Sequence, residues 1–573
     1  MALGITDYIV FGLMLMISSS IGIYYRFTGG KQKTTQEYML GNKNQSAIPV
    51  AFSLMASFMS AISLFGLSAE NYSRGTQFAV INIGYLIGTP IIAYIFLPVF
   101  FKLGNLSVYE YLEKRFGSWT RITTSLAFSL QMILYMAIVL YAPALALEAV
   151  TGLSQDTSIL LVGLVCVFYS TIGGIKAVII TDLFQAILMF ASIYAVIGVA
   201  IYETGGVSEI WEIARKYDRI EFTNFNIDPT ERHSFFSLVL GGMFTYVSLY
   251  AINQTQVQRY LTMKDYRTAV KSLWLSVPIL SLLSLSTCLS GLAIYSKYYN
   301  CDPIKAGRIS KEDQLMTLYV LDTMGNIPGL TGLFVAGIFS SGLSSVSPVL
   351  NSLAAVTMED YIKPLTRTEI SDKKKVYSMK LLVILYGSIC ILLAFLAKYF
   401  GSILQTSLTI FGVVGGPVLA VFTLGVLVPY VNQKGSMMGL ITGLIFSFVL
   451  GFGGPKPPTK NLPTYTNSCL VLNNTFSSIN GSSLFINKEP EDGYLYLYRI
   501  SYMYYIVLGF AATLLVGMIV SAIFRDPNNF IEPELFAPFV AKQLRKRGMF
   551  FKQDSVKMEL RPTEIASNNH QVN

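Results

Sequence analysis

Long apolar segments recur along this chain of 573 residues and restrict what it can fold into. A helix needs about 20 mostly apolar residues to cross a bilayer. DYIVFGLMLMISSSIGIYY near the start and YMYYIVLGFAATLLVGMIVSAIF near the end both qualify. Charged residues make up only 13% of the chain, whereas soluble domains contain about 25%. The sequence therefore predicts an all-α polytopic membrane protein.

Window length predicts about thirteen transmembrane helices. The first is not expected to be a cleaved signal peptide, because it carries Asp7, lacks a preceding basic region and has too long an apolar run. The predicted spans are approximately 6–26, 47–74, 78–101, 122–147, 157–174, 176–202, 234–256, 270–297, 328–359, 377–398, 404–429, 436–453 and 502–524.

Charge indicates which side of the membrane each loop faces. With the N-terminus outside, about two thirds of the 42 lysines and arginines face the cytosol, as the positive-inside rule requires. We therefore expect an extracellular N-terminus and a cytoplasmic C-terminus in a multi-pass plasma-membrane protein. The net charge of +9 then reflects topology and gives no support for a nucleic-acid partner. The basic runs 372–375 and 542–547 are interpreted as solvated cytosolic surface, with lipid headgroup contact as the alternative.

Two cysteines fall in predicted extracellular loops, where oxidation is possible. They are Cys301 and Cys469, and we predict a disulfide between them. The second lies in the loop at about 454–501, which also holds N-glycosylation sequons at Asn473 and Asn480. The other three cysteines lie within spans and are interpreted as small hydrophobic side chains.

Nothing in the sequence indicates catalysis. The two histidines, His233 and His570, are not near a candidate nucleophile or metal cluster. No Walker A motif is present, so ATP-driven pumping by this chain alone is not expected. The sequence therefore predicts a membrane protein that is not an enzyme.

Three segments at the predicted spans carry unusually many polar side chains, namely 53–75, 244–260 and 340–360. Polar residues in a membrane usually face a cavity or a partner. The first two segments lie about five spans apart, and secondary transporters often build their sites from discontinuous helices at matching positions of inverted repeats. An unwound turn frees backbone carbonyls, which are oxygen ligands for a small cation. These segments therefore indicate an ion or solute site.

The third segment places serines at helical spacing. Ser341 and Ser344 share a helix face, and Ser345 is adjacent. Neutral oxygens at this spacing suit Na⁺, which needs partial dehydration without a full countercharge. Small residues also let helices pack closely. The spacing alone does not decide between an ion site and a packing face.

Four motifs give the chain a family resemblance over nearly its full length. They are MASFMSAISLFG (55–66), GGIKAVIITDLFQ (173–185), SLYAINQTQVQRYL (248–261) and NSLAAVTMEDYIKP (351–364). Together they resemble the sodium/solute symporter family, also called the sodium–glucose cotransporter family. The resemblance implies a LeuT-type core in which spans two to eleven form a five-plus-five inverted repeat.

This fold implies five regions. Residues 1–46 hold the first transmembrane helix and a cytosolic loop, 47–202 the first inverted repeat, and 203–429 the second. Residues 430–525 hold the last two transmembrane helices with the extracellular loop, and 526–573 form a cytosolic tail.

The resemblance also implies Na⁺ as the coupling ion, bound between the broken second span and the ninth. The carbonyls of Ala56, Met59 and Ser341 and the hydroxyls of Ser344 and Ser345 would bind it.

A sodium pathway or second site is implied at Ser60, Asp182 and Gln185. Asp182 also has a structural interpretation, because an acid near a helix start favours the helix dipole.

The substrate class follows from departures within the resemblance. The sugar-transporting branch has a Trp-Tyr-Trp cluster in span seven and a glutamine in span eleven, whereas this chain has SLY (248–250) and SLTIFGVVGGP (407–417). The chain looks closer to the branch that carries monocarboxylates, biotin, pantothenate and iodide. Ser63 stands where some of that branch have glutamine, which counts against iodide. The residues expected to line the central site are Ser60, Ser63, Tyr250, Ser407 and Thr409.

The sequence thus predicts Na⁺-coupled import of a small organic anion by alternating access. One alternative is a symporter of the same fold for iodide, choline, an amino acid or a sugar. Another is a non-transporting solute sensor or an uncoupled channel. Expected partners are Na⁺, the anionic substrate and the lipid bilayer, and the residues do not decide between a monomer and a homodimer.

Overall fold

The computed structural model describes residues 4–28, 34–104, 106–366, 371–399, 401–469, 493–525 and 532–546. Within these ranges the chain is mostly helical and contains no β-strand. Twelve helical segments are long and apolar enough to cross a membrane, and one bent helix pair passes the same test. The prediction of about thirteen transmembrane helices in an all-α protein is confirmed.

The first eleven of the described α-helices lie between Ile5 and Lys216. Between α5 and α6 a π-helical turn keeps the segment Thr76–Leu103 continuous enough to span. The helices are α1 (Ile5–Phe27), α2 (Thr35–Leu40), α3 (Ala47–Phe58), α4 (Ala61–Arg74), α5 (Ile81–Ile91), α6 (Leu97–Leu103), α7 (Glu110–Arg115), α8 (Ser118–Thr151), α9 (Gln155–Ile172), α10 (Ile175–Thr204) and α11 (Val207–Lys216).

The rest of the described chain contains twelve more. Its first span ends in a π-helical turn, Ser248–Ile252, and Asn253 separates that turn from the next helix. The helices are α12 (Phe235–Val247), α13 (Gln254–Tyr260), α14 (Tyr266–Tyr298), α15 (Leu315–Thr323), α16 (Leu330–Val356), α17 (Lys363–Thr366), α18 (Asp372–Ala397), α19 (Ile403–Leu427), α20 (Gln433–Phe452), α21 (Tyr496–Arg499), α22 (Tyr505–Ile523) and α23 (Pro538–Lys546).

Helix ends follow local sequence signals. The Ser154 hydroxyl accepts a hydrogen bond from the Thr157 N–H at the start of α9, and Asp265 accepts one from Thr268 at the start of α14. The helix α8 ends at Gly152, whose φ of 74° favours a residue without a side chain. These caps fix where the loops leave the helical bundle.

The helix α16 lies at the centre of the bundle and is nearly completely buried. It contacts α1, α3, α8, α10 and α18. Its glycines allow these close approaches, because a Cβ at Gly337 would lie 2.2 Å from the Ser192 hydroxyl oxygen, and one at Gly342 would lie 2.8 Å from Pro143. The serines of α16 are therefore held inside the protein, next to α3.

Candidate functional site

The bent pair α3–α4 is a broken helix. The helix α3 ends at Phe58, Met59 has φ −83° and ψ 84°, and Ser60 is extended before α4 begins. The two helices are bent by 61° at this break. The last carbonyls of a helix have no intrahelical partner, so the break presents backbone oxygens in the middle of a span.

Serines of α16 meet these carbonyls. The Ser344 hydroxyl donates to the Ala56 carbonyl at 3.0 Å, and the Ser345 hydroxyl lies 3.5 Å from the Ser57 carbonyl. Both hydroxyls also lie within hydrogen-bond distance of the Ser341 carbonyl, at 3.2 and 3.1 Å. The structure thus brings together four of the five residues predicted to bind sodium, with the Ser57 carbonyl beside them.

Met59 lies at the break itself, but its carbonyl accepts none of these serine hydrogen bonds. We call the oxygens of Ala56, Ser57, Ser341, Ser344 and Ser345 the serine cluster. They are all neutral, and all of these residues are buried except Ser57, which is half-buried. A hydroxyl can rotate its proton away and turn a lone pair toward a ligand. Hard, neutral oxygens suit a monovalent alkali cation better than a transition metal.

An ion pair lies next to the serine cluster. The Asp182 carboxylate is 3.0 Å from the Arg259 guanidinium, and both side chains are fully buried. The Ser53 hydroxyl donates to Asp182 at 2.5 Å and accepts from Arg259 at 2.7 Å. Arg259 also donates to the Ser57 hydroxyl at 2.5 Å. We call this pair the inner ion pair, after the orientation expected from the sequence, and Ser57 connects it to the serine cluster.

Gln185 lies one helical turn after Asp182 and is completely buried. Neither its side-chain oxygen nor its side-chain nitrogen has a hydrogen-bond partner within the described residues. Buried polar groups are normally paired. Gln185 therefore places an unpaired buried amide on the same face of α10 as Asp182.

A cavity adjoins the break. The predicted residues Ser60, Ser63 and Ser407 line it, and the Tyr135 hydroxyl donates to Ser60 at 3.1 Å. Ser57 lines both this cavity and the serine cluster, so the two sites share the end of α3. The remaining lining side chains are mostly apolar, with several neutral polar groups. They are Phe58, Ile62, Met132, Tyr135, Thr245, Leu249, Asn253, Thr255, Gln256, Val349, Leu404, Leu408 and Phe411.

Two residues expected to line this cavity do not. Tyr250 is buried, with its hydroxyl donating to the Leu54 carbonyl at 3.0 Å and its ring stacked on Tyr246. Thr409 faces α20, where its methyl group would lie 3.3 Å from a Cβ at Gly451. The structure therefore brings three of the five proposed lining residues to the cavity.

A charged cluster that the sequence analysis missed, which we call the outer cluster, lies at the C-terminal end of α4. Glu70 is 2.8 Å from Arg74, 3.0 Å from Arg232 and 3.4 Å from the His233 ring. Arg232 also donates to Gln405, next to the cavity-lining Leu404, at 2.8 Å. Burial lowers the pKa of His233 to about 3, with repulsion from Arg232 and Arg74 acting in the same direction and attraction to Glu70 opposing. The available signal was Glu70 and Arg74 four positions apart in an apolar segment.

The predicted disulfide is present between Cys301 and Cys469, with their Cα atoms 5.0 Å apart. It anchors the loop segment 459–469, which we call the strap. The Arg219 guanidinium donates to the carbonyls of both Ser73 and Pro463, and so ties the strap to the end of α4. The glycosylation sites Asn473 and Asn480 lie outside the described residues.

Comparisons with known proteins agree with this arrangement. The model of the sodium:solute symporter family matches residues 38–443. The putative sodium-dependent multivitamin transporter of Drosophila melanogaster is 50% identical over 96% of this chain and 93% of its own length. Sodium-coupled monocarboxylate transporter 1 of Homo sapiens is 42% identical over 90% of this chain and 86% of its own length.

Solved structures agree on the architecture. The substrate-bound outward-open state of a Na⁺-coupled sialic acid symporter superposes with a TM-score of 0.74. That match covers 91% of this chain and 98% of the solved chain at 23% sequence identity, a level at which the likeness concerns the fold. The nucleobase-cation-symport-1 transporter Mhp1 gives a TM-score of 0.53 at 12% identity, covering 87% and 96% of the two chains. The predicted LeuT-type fold is confirmed.

Proposed function

Because this chain belongs to the sodium:solute symporter family, we propose that it imports a small organic anion together with Na⁺ across the plasma membrane by alternating access. The chain is a membrane transporter and not an enzyme. The names of its relatives indicate monocarboxylates and vitamins as substrate classes. Among vitamins, biotin and pantothenate carry the required carboxylate.

The observation that carries this proposal is the contact between the break and the serines of α16. The Ala56 carbonyl and the Ser344 hydroxyl lie 3.0 Å apart although they belong to helices nearly 300 residues apart in sequence. An ion held by both would stabilise the conformation in which they meet. A ligand shifts a conformational equilibrium by its difference in affinity for the two states, so Na⁺ binding here favours one arrangement of α3 relative to α16.

The serine cluster and the cavity lie close enough together to couple ion binding to substrate binding. Ser57 belongs to the serine cluster through its carbonyl and also lines the cavity. A substrate in the cavity and an ion in the cluster therefore both contact the end of α3. Each would stabilise the same state of the break, which is the thermodynamic requirement for cotransport. Inward movement of one positive charge at about −100 mV supplies about 2.3 kcal/mol.

The cavity suits a carboxylate whose charge is balanced by the ion. None of the side chains that line it is charged. A buried anion needs a compensating charge, and the adjacent Na⁺ supplies one. The hydroxyls of Ser60, Ser63 and Ser407 can donate hydrogen bonds to the carboxylate. The apolar lining then accommodates the alkyl part of the anion.

We assign the sodium ligands to Ala56, Ser57, Ser341, Ser344 and Ser345, with Met59 at the break. Asp182, Gln185 and Ser60 form the path or second site for the ion. The two inverted repeats comprise 47–202 and 203–429, and the N-terminus lies outside with the C-terminus in the cytosol. The inner ion pair then lies between the serine cluster and the cytosol.

The test is uptake into proteoliposomes containing the purified protein. Radiolabelled lactate, biotin, pantothenate, iodide and glucose are supplied with an inward Na⁺ gradient or with K⁺ in its place. We expect concentrative uptake of a carboxylate only with Na⁺. Equal uptake in Na⁺ and K⁺ contradicts coupling, and currents without accumulation would instead support an uncoupled channel.

A single variant tests the ion site. Ser345→Ala removes one hydroxyl from the serine cluster, and we expect the Na⁺ concentration for half-maximal uptake to rise at least tenfold. The matched control is Ser347→Ala, which removes a buried hydroxyl of the same helix that has no hydrogen-bond partner within the described residues. Surface expression of both variants is measured in parallel. If Ser345→Ala instead prevents expression with unchanged Na⁺ dependence, the serines serve packing.

A further inference from the structure

A groove lies on the side of the protein that carries the C-terminus, between the end of α6 and the helix α23. Four of the side chains that line it are cationic, namely Lys102, Lys542, Arg545 and Lys546, and one is anionic, Glu534. Pro98 and Val99 of α6 form its other wall. We call it the tail groove. Nothing in the proposed transport mechanism uses these residues.

The walls of the tail groove are held in place by the rest of the protein. Upstream of α23, the Leu535 carbonyl accepts a hydrogen bond from the Tyr111 hydroxyl at 3.1 Å. The Ala537 N–H donates to the Val426 carbonyl at the end of α19, also at 3.1 Å. The Arg115 guanidinium lies 4.8 Å from the centre of the Phe536 ring. The segment before α23 is therefore docked onto α7 and α19.

The helix α23 itself has two different faces. Val540 and Leu544 are buried against the bundle, whereas Phe539 is 58% exposed beside the basic residues. A short helix with an exposed aromatic side chain and several cations is typical of a segment at a membrane surface. A helix at that surface would bring the cations of the tail groove to the level of the lipid headgroups.

The charge of the groove is strongly positive. Glu534 pairs with Lys102 at 2.8 Å and lies 3.7 Å from Arg545. One carboxylate cannot balance four cations, so the groove retains an excess of positive charge that includes Lys542 and Lys546. A concentration of cations at this depth attracts phosphate groups of anionic lipids.

The shape of the groove distinguishes a lipid from a soluble anion. Its α6 wall continues the membrane span Thr76–Leu103. Farther along that span, Ile87 and Tyr94 are 45% and 55% exposed, on the side of the helix that faces outward. An anionic phospholipid can place its headgroup among the cations and its acyl chains along this exposed surface. A soluble phosphate would use the cations alone.

We propose that the tail groove binds the phosphate-bearing headgroup of an anionic phospholipid in the leaflet on the C-terminal side of the membrane. The basic side chains contact the headgroup phosphates, and the outward surface of Thr76–Leu103 receives the acyl chains. The bound lipid bridges α6 and α23. Because the Ala537 N–H is bonded to the end of α19, the lipid also holds the tail against a helix that lines the cavity. This site does not depend on the transported substrate.

The experiment measures binding of a fluorescent short-chain diacyl phosphatidylinositol bisphosphate to the full-length purified protein in detergent. The test variant is Lys542→Gln/Lys546→Gln, which leaves the docking contacts of Leu535, Phe536 and Ala537 unchanged. The matched control is Lys373→Gln/Lys374→Gln, which removes the same charge from exposed positions at the start of α18. Size-exclusion profiles verify that all three proteins are folded.

We expect the test variant to weaken binding at least tenfold and the control variant to match the unmodified protein. Competition with free inositol trisphosphate and with short-chain phosphatidylcholine then separates the sources of affinity. Neither should displace the probe as well as the unlabelled diacyl bisphosphate lipid. Equal affinity of the two variants overturns the assignment to the tail groove. Displacement by inositol trisphosphate at the same concentration as the lipid would show a soluble-anion site and overturn the lipid proposal.

Discussion

The two halves of the broken helix contact buried charged side chains that are arranged differently. The half that follows the break, α4, carries Glu70, which is surrounded by Arg74, Arg232 and His233. The half that precedes it, α3, carries no charge of its own and contacts the single ion pair of Asp182 and Arg259 through serine hydroxyls. The outer cluster has several cations for its carboxylate, whereas the inner pair has only one.

Because of this difference, we expect the loss of one cation to cost more folding free energy at one end of the broken helix than at the other. Loss of one cation from the outer cluster leaves Glu70 with another close guanidinium. Loss of Arg259 leaves Asp182 buried with only neutral hydrogen-bond partners. Breaking a buried pair by removing one partner is far more costly than losing one of several redundant contacts. The inner end of the broken helix therefore depends on one ion pair, and the outer end does not.

The serine cluster between the two ends offers only neutral oxygens, and the proposed sodium site gives this a functional reason. A fixed buried carboxylate would hold a cation more tightly and slow its release. Hydroxyls and carbonyls bind it more weakly, and permeation requires binding that is weak enough for release. The chain thus keeps its permanent charges beside the serine cluster rather than inside it.

The largest expected effect compares Arg259→Gln with Arg74→Gln. Because Arg259 is completely buried and bonded to Asp182, its loss should destabilise the protein by about 3–5 kcal/mol. Arg74→Gln should cost clearly less, since Arg232 remains 3.0 Å from Glu70. The measurement is thermal unfolding of both purified variants in the same detergent.

The double variant Asp182→Asn/Arg259→Gln is the control for that comparison. It removes both charges, so most of the stability lost in Arg259→Gln should return. Equal destabilisation by Arg259→Gln and Arg74→Gln would show that the outer cluster is no more redundant than the inner pair. Failure of the double variant to recover would mean that Arg259 acts mainly through its bonds to serine and backbone oxygens.

Much of the fold could be predicted from the sequence because hydropathy over a span is a sum of many residues. The expected span 47–74 coincides with α3 and α4 together, and the expected 328–359 contains α16. The expected 122–147 is shorter than α8, Ser118–Thr151, because the polar helix ends extend beyond the apolar window. The interruptions at Met59 and Asn253 also fall in the segments whose polar residues predicted them.

The site was less predictable because side-chain direction depends on local helix geometry. Tyr250 lies in the π-helical turn Ser248–Ile252, where the extra residue per turn rotates side chains away from regular positions. Its neighbour Leu249 lines the cavity instead. Similarly, Leu408 lines the cavity while Thr409, about 100° further round α19, faces α20.

The charge partners were unpredictable for a different reason. Arg259 lies 77 residues after Asp182, and nothing in either local sequence specifies that they meet. The serine cluster raised the same difficulty, since 288 residues separate Ala56 from Ser344. The spacing of the serines left packing and ion binding equally open, and the resemblance to known transporters was needed to pair them with the broken helix.

The next effect in size concerns the strap that covers the outer end. The variant Cys301→Ser/Cys469→Ser opens a covalent link between residues 168 positions apart. A disulfide of this kind contributes about 2–4 kcal/mol, mainly by restricting the unfolded chain. We expect the thermal midpoint to fall accordingly. A non-thiol reductant should lower the midpoint of the unmodified protein and leave that of the variant unchanged.

The strap also tests whether the two ends are independent. The Arg74 guanidinium lies 3.4 Å from Thr459 of the strap, whereas Arg259 contacts none of its residues through the hydrogen bonds described above. Combining the cysteine variant with Arg74→Gln should therefore give a loss that differs from the sum of the single losses. Combining it with Arg259→Gln should be additive. If the losses of stability are additive with Arg74→Gln but not with Arg259→Gln, the two ends of the broken helix are not independent in the way proposed.

The smallest expected effect depends on pH and is specific to the outer cluster. Burial lowers the pKa of His233 from 6.5 to about 3, so between these values the unfolded chain binds a proton that the folded protein does not. The contribution of His233 to the unfolding free energy is therefore fully present above pH 6.5. It is lost as the pH falls below that value, by up to about 1.4 kcal/mol per pH unit. The variant His233→Gln lacks this loss.

The two proteins are compared by denaturant unfolding in detergent at pH 7.5 and at pH 5.5. Their difference in unfolding free energy should change by about 1.4 kcal/mol between the two conditions, with the unmodified protein losing more at the lower pH. Burial raises the pKa of Asp313 to about 6, which has the opposite effect on stability. That contribution is common to both proteins and cancels in the difference. A difference that stays constant with pH would mean that His233 has the same pKa in the folded and the unfolded protein, and would contradict its burial as a neutral group. A change of the opposite sign would mean that His233 is protonated in the folded protein, so that Glu70 has a third cation and the outer cluster is even more redundant than its two guanidinium contacts indicate.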